Sequence, residues 1–200
     1  MEFNSTTPAL FAYLAIAVSA MRYGTYLWAI YKKEAKPHFF SYFNWGLVTA
    51  IGAYAQMQLQ GGPSTWVLMV VSTSCFLIAL LSLFVGTKNV MRSDWYAFIG
   101  GLLVIPVWLS TKSPFLALVL VVIIDVLSYY PTFRKSWRDP WEEPPVSFFW
   151  AGLRYFLMLF AVPVPTVQTL FYPLFLMTSD WGLALYVVWR RKVEGKKRIA

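Results

Sequence analysis

The sequence predicts an all-α integral membrane protein with seven transmembrane helices, and three observations carry that expectation. Hydrophobic residues make up 58% of the 200 residues and charged residues 13%, against roughly 25% charged in an ordinary globular domain. The mean hydropathy is +0.56, so the chain has too little polar surface to face water all round. The lysines and arginines behind the net charge of +8 lie in short segments between apolar runs. Cytoplasmic loops have that distribution and nucleic-acid surfaces do not, so no nucleic-acid partner is expected.

The runs, in order, cover about 8–31, 39–59, 64–86, 94–110, 113–133, 146–162 and 166–189. Each reaches or approaches the roughly 20 residues that a helix needs to cross hydrocarbon. The first is too long for a signal h-region, and acidic Glu2 precedes it in place of a basic segment, so it is read as span 1. Pro106, Pro163 and Pro165 blur the ends of the short fourth and sixth runs. The alternating segments of roughly ten residues that mark β-barrels are absent. Gln56 and Gln58 are expected at the interface, Gly100-Gly101 as a close-packing site, and His38 exposed at the cytoplasmic interface.

Basic residues orient the runs. Lys32, Lys33 and Lys36 follow the first, Lys88 and Arg92 the third, and Arg134, Lys135 and Arg138 the fifth; Arg190, Arg191, Lys192, Lys196, Lys197 and Arg198 follow the last. The alternate connections hold only Lys112. Positive-inside distribution then gives an odd number of spans, with the N-terminus out and the C-terminus in. The single cysteine, Cys75, allows neither an intramolecular disulfide nor a cysteine metal site. No cofactor or metal is expected.

A shift of 106 residues superposes spans 1 and 2 on spans 5 and 6: Ser41-Tyr42-Phe43 falls on Ser147-Phe148-Phe149, and Gly46-Leu47 on Gly152-Leu153. Ser19, Arg22, Tyr23 and Tyr26 fall on Asp125, Ser128, Tyr129 and Thr132, a spacing that holds one helix face. A shift of 105 matches Thr73-Ser74 to Thr178-Ser179 and Ala79-Leu80 to Ala184-Leu185. The expected organisation is a three-helix repeat over 1–90, a linker helix over 91–112 and a second three-helix repeat over 113–200 with a basic tail. A single linker helix makes the repeats parallel, and transporters built this way place their site between the repeats.

Tyr130-Pro131-Thr132-Phe133-Arg134-Lys135-Ser136, followed by Ser147, resembles the PQ-loop motif of the SWEET, cystinosin and KDEL-receptor superfamily. Gly24-Thr25, the lysines at 32, 33 and 36 and Ser41 stand at the corresponding places in the first repeat. Thr132 replaces the glutamine of the second motif, and the first lacks the proline. The resemblance extends over nearly the whole chain, to nicotinamide riboside transporters in arrangement and to bacterial members with a Pro-Thr-x-Arg-Lys-Ser motif. It implies a hinge at Pro131 and a bacterial inner (plasma) membrane location. It also implies a substrate held by a polar residue on each third helix and aromatics on the second helices. Thr73, Ser74, Thr178 and Ser179 stand at the former places, and Asn44, Trp45 and Trp150 at the latter.

Four charges fall inside the runs away from their ends: Arg22, Asp125, Arg154 and Asp180. Each costs roughly 2.5–3.5 kcal/mol at a bilayer centre, so all must point inward or pair. Two readings stay open: two ion pairs that lock the bundle, or a polar cavity. In a cavity, Asp180 is the candidate for proton coupling, because a carboxylate there can take up and release a proton. Arg22 and Arg154 suit an anionic substrate group.

These residues point to a transporter of a small polar solute by alternating access. The alternative is a ligand-binding receptor or sorting module on the same fold. An enzyme is not expected: the chain has no HExxH or Gly-x-Ser-x-Gly motif and no histidine inside a run. Expected partners are the solute, the bilayer with anionic lipids at the basic tail, and, with no residue pattern to decide it, a second copy of the chain.

Overall fold

The computed structural model describes residues 6–33, 37–86, 92–111, 113–138, 140–141 and 145–199. Among these the chain is all helical, in seven elements: α1 (Thr6–Tyr31), α2 (Phe39–Gln58), α3 (Ser64–Val85), α4 (Arg92–Thr111), α5 (Pro114–Arg138), α6 (Pro145–Phe160) and α7 (Val167–Ile199). Proline opens α5 and α6, where its missing N–H has no intrahelical partner to lose. Pro106 and Pro173 lie inside α4 and α7.

Three segments are long and apolar enough to cross a membrane: Thr6–Trp28, Ser64–Val85 and Val167–Gly195. Phe98–Val107, Pro114–Val126 and Pro145–Phe160 are shorter apolar segments. α2 has the length but carries Asn44, Thr49 and Gln56, all buried, which lower its hydropathy. The helices overrun two of the expected runs. α5 continues through Arg134 and Lys135 to Arg138, and the basic tail is the last part of α7. In that extension Arg190 pairs with Glu194 at 2.8 Å, one turn on. Arg190 also lies over the Trp137 ring, and Arg191 lies over Trp141 and donates to the Pro140 carbonyl at 3.0 Å. The end of α7 thus holds the α5–α6 connection.

The packing scheme is regular. α3 packs on α1 and α2, and α7 packs on α5 and α6. Across the middle α1 meets α6 and α2 meets α5, while α4 touches α2 and α5. Exchanging 1 with 5, 2 with 6 and 3 with 7 leaves the contacts within the triplets and the α1–α6 and α2–α5 contacts unchanged, while α4 packs on one side only, against α2 and α5. The main core draws Ala12 and Ala15 from the first half of α1, Val48–Ala55 from the second half of α2, Val67 and Leu68 from the start of α3, and Leu118 and Val121 from the start of α5. Met158 and Ala161 at the end of α6 and Tyr172 near the start of α7 complete it. It therefore fills the end of the bundle that carries connections 59–63 and 161–166. There Gly62, at φ +57, a conformation that costs glycine least, stands where a Cβ would come within 2.7 Å of Pro163. Gln56, expected at the interface, is fully buried at this end and donates to the Thr169 carbonyl (2.8 Å) and Ser64 Oγ (3.2 Å). Its short side chain finds partners across the two connections that sequence could not pair.

The exterior is apolar. Leu80 and Phe84 on α3, Leu103 on α4, Ile123 on α5 and Leu185 on α7 are exposed, while Arg154, Asp125 and Asp180 are buried. That inverts the usual arrangement of a water-soluble domain.

Candidate functional site

Two internal contacts recur at equivalent positions of the two triplets. Gly46 on α2 leaves room for the Phe76 ring, which would stand 3.0 Å from a Cβ there. Gly152 on α6 leaves the same room for Trp181, at the matching place on α7. Tyr23 on α1 reaches Cys75 Sγ of α3 at 3.4 Å. Its counterpart Tyr129 on α5 donates to Asp180 Oδ1 of α7 at 2.9 Å. In both triplets a first-helix tyrosine thus reaches a polar third-helix residue at equivalent positions.

These two contacts form opposite walls of a cavity of about 60 Å³ on the side of the main core away from connection 59–63. All four interior charges line it, together with Trp45, Tyr42, Thr49, Phe148 and Tyr155. The volume holds about four water-sized groups. Among the described residues the ion pair is Arg190–Glu194, and the interior charges take other partners. Asp125 Oδ2 accepts from Tyr172 (3.2 Å) and Asp180 from Tyr129. Arg154, 2% exposed, stacks on Tyr155 at 4.2 Å and reaches Tyr23 Oη at 3.4 Å. Arg22 reaches Ser147 Oγ at 3.3 Å and lies 5.3 Å from the Tyr23 ring centre. Asp180 interacts electrostatically with both guanidinium groups. Among the described residues no ion pair joins these four charges, and all four line the one cavity.

Of the other sequence-selected residues, Trp45 joins the four charges at the cavity. Asn44 turns instead toward α4, where Gly101 leaves room for its side-chain oxygen. Thr73 is exposed, and Ser74 donates to the Val70 carbonyl of its own helix at 2.8 Å. Thr178 is exposed and donates to the Leu174 carbonyl at 2.8 Å. Together with Ser179 it borders an outer groove between α5 and α7. Trp150 is half-buried against Phe149, away from the cavity. These side chains miss the cavity for a simple reason: one residue along a helix turns the direction by about 100°, so Cys75 and Asp180 face inward where Ser74 and Ser179 do not. His38, expected exposed, is half-buried with Ser41 Oγ 3.3 Å from its Nδ1. The backbone at 131 lies within α5, and the Pro131 side chain lies outside the described residues.

Sequence reasoning passed over Tyr155, Tyr172, Thr49 and Cys75. The signal for the tyrosine partners was present, since Tyr23 and Tyr129 superpose at the 106-residue shift. No family model, no curated protein and no solved structure matches the chain.

Proposed function

We propose that the chain is a seven-span membrane transporter of a small polar solute, working by alternating access between two parallel three-helix repeats. In this reading the N-terminus is outside and the C-terminus in the cytoplasm. The observation that carries the proposal is the cavity with four ionisable side chains at the interface of the two triplets, closed at one end by the main core. Buried charges are costly, and in membrane proteins they mark pathways for substrate or protons.

Other features support the same reading. The contacts within each triplet, and the α1–α6 and α2–α5 contacts between them, keep their form when the triplets are exchanged, as expected of two repeats about a central axis. Exposed aromatics gather at two levels: Tyr13, Tyr54 and Trp66 near connection 59–63, and Trp28, Trp95, Trp137 and Trp189 near the opposite end. Along α1 the rise from Tyr13 to Trp28 is about 23 Å, a spacing suited to interfacial belts. With the basic end cytoplasmic, the conformation is sealed on the outside, and Asp180 is the group placed to carry a proton.

Two measurements test this. Cysteines placed singly at Lys33 and Trp141 in a Cys75→Ala background are expected to react with an impermeant maleimide only from the cytoplasmic side, and cysteines at Gln60 and Val164 only from outside. Labelling of Lys33 and Gln60 from the same side would overturn the topology. Proteoliposomes screened with labelled sugars, nucleosides, vitamins, amino acids and organic acids are expected to accumulate at least one. Binding without accumulation of any would point to the receptor alternative instead.

A further inference from the structure

The cavity has a local excess of positive charge that its total composition hides. Arg22 and Arg154 flank one ring, their guanidinium carbons 5.3 and 5.8 Å from the Tyr23 centroid. Each interacts electrostatically with Asp180, and the two act on each other as like charges. Asp125 stands apart: its hydroxyl partner is Tyr172, and its charge interaction is with Asp180. The arginine pair therefore faces one carboxylate against two cations.

The hydrogen-bond inventory has the same imbalance. Two guanidinium groups bring ten N–H donors. Among the described residues they find one acceptor each, Ser147 Oγ at 3.3 Å and Tyr23 Oη at 3.4 Å, both neutral and both long. Arg154 Nε is buried with no partner. Asp180 does not use up these donors, because its hydrogen bond comes from Tyr129.

We infer that the cavity between the triplets binds a solute through a carboxylate group, clamped between Arg22 and Arg154. This rests on the transporter reading and names its substrate class. One monoanionic group restores the charge balance around the pair, and its two oxygens offer the planar, bidentate geometry that guanidinium donors match. The size agrees: about 60 Å³ takes roughly four heavy atoms, a carboxylate with the carbon that bears it. Trp45 and Tyr42 supply an apolar surface for that carbon.

The test uses the full-length protein and matched probes: acetate, lactate and alanine, each beside its primary amide. Thermal stabilisation in detergent reads binding, and proteoliposome uptake reads transport. At least one acid is expected to stabilise the protein, with its amide at least about tenfold weaker. Lactate and alanine then separate a simple monocarboxylate from a zwitterion. Arg154→Gln is expected to erase the preference for acid over amide. Arg154→Lys, which keeps the buried charge, is expected to retain part of it and guards against misfolding as the cause. If no acid binds, or amides bind as well as acids, the carboxylate inference falls, whatever is transported. If acids bind selectively but none accumulates, the inference stands and the transport reading falls.

Discussion

The two triplets share a scaffold and differ in chemistry. Each sets a glycine of its second helix against an aromatic ring of its third, Gly46 with Phe76 and Gly152 with Trp181. Each reaches a tyrosine of its first helix to the third, but Tyr23 meets the Cys75 thiol where Tyr129 meets the Asp180 carboxylate. Three of the four interior charges belong to the second triplet, and Arg22 alone to the first. The glycine–aromatic packing is alike in both halves, while the residues facing the cavity differ. In the proposed transporter the first triplet would then act mainly as a wall, and the second would carry the groups that recognise solute and hold a proton.

The sharpest way to break that contrast is to substitute equivalent positions. Removing one member of a buried charge arrangement leaves the rest uncompensated, which costs about 3–5 kcal/mol. Asp180→Asn and Arg154→Gln are therefore expected to lower uptake by at least about 100-fold, while the proteins still insert and elute as single species. Cys75→Ser puts a hydroxyl in place of the thiol beside Tyr23 and is expected to change uptake by no more than about fivefold, since a neutral hydrogen bond contributes only about 1 kcal/mol net. Proteoliposome uptake decides this. Equal losses at 75 and 180 would show that the two walls contribute alike.

The glycines give a smaller, purely structural contrast. A methyl at 152 meets the Trp181 ring, which is tethered by its own bond to the Phe149 carbonyl at 3.2 Å. Gly152→Ala is expected to cost about 1–3 kcal/mol as overpacking. Gly46→Ala meets the untethered Phe76 ring at 3.0 Å and is expected to cost less than about 1 kcal/mol. Thermal unfolding in detergent ranks the pair, and the reverse order would mean that Trp181 can yield. The loss of one hydroxyl is of similar size. Tyr129→Phe takes the donor from a carboxylate, about 1.5–3 kcal/mol, and Tyr23→Phe takes two long contacts, to the Cys75 thiol and from Arg154, about 0.5–1.5 kcal/mol. The same unfolding measurement reads both, and an equal cost would remove the distinction between the walls.

Helix positions were readable because apolar runs report burial in lipid or core directly, and all seven helices begin within two residues of their runs. The extensions of α5 and α7 were not readable, because hydropathy says nothing about a helix once it has left the apolar layer. The interior charges stood out because such groups are rare and costly in apolar runs. Their partners did not, because a tyrosine such as Tyr155 or Tyr172 looks the same in sequence whether it belts an interface or bonds a carboxylate. Gln56 was misplaced for a related reason: it lies two residues from the end of α2, and only the fold brings Thr169 to it.

The smallest expected effect concerns the hydroxyls that sequence selected on the third helices. Thr73 and Thr178 stand at matching positions, both exposed, and Thr178 already donates to carbonyls of its own helix. Such back-bonding satisfies the hydroxyl without any solute. Thr73→Val and Thr178→Val are each expected to leave stability within about 0.5 kcal/mol and uptake unchanged. The pair extends the contrast between triplets to a place where none is expected, since neither side chain reaches the cavity. A loss of uptake in Thr178→Val alone would require α7 to turn by about two residues, roughly 200°, during the cycle, carrying Thr178 to the direction now held by Asp180.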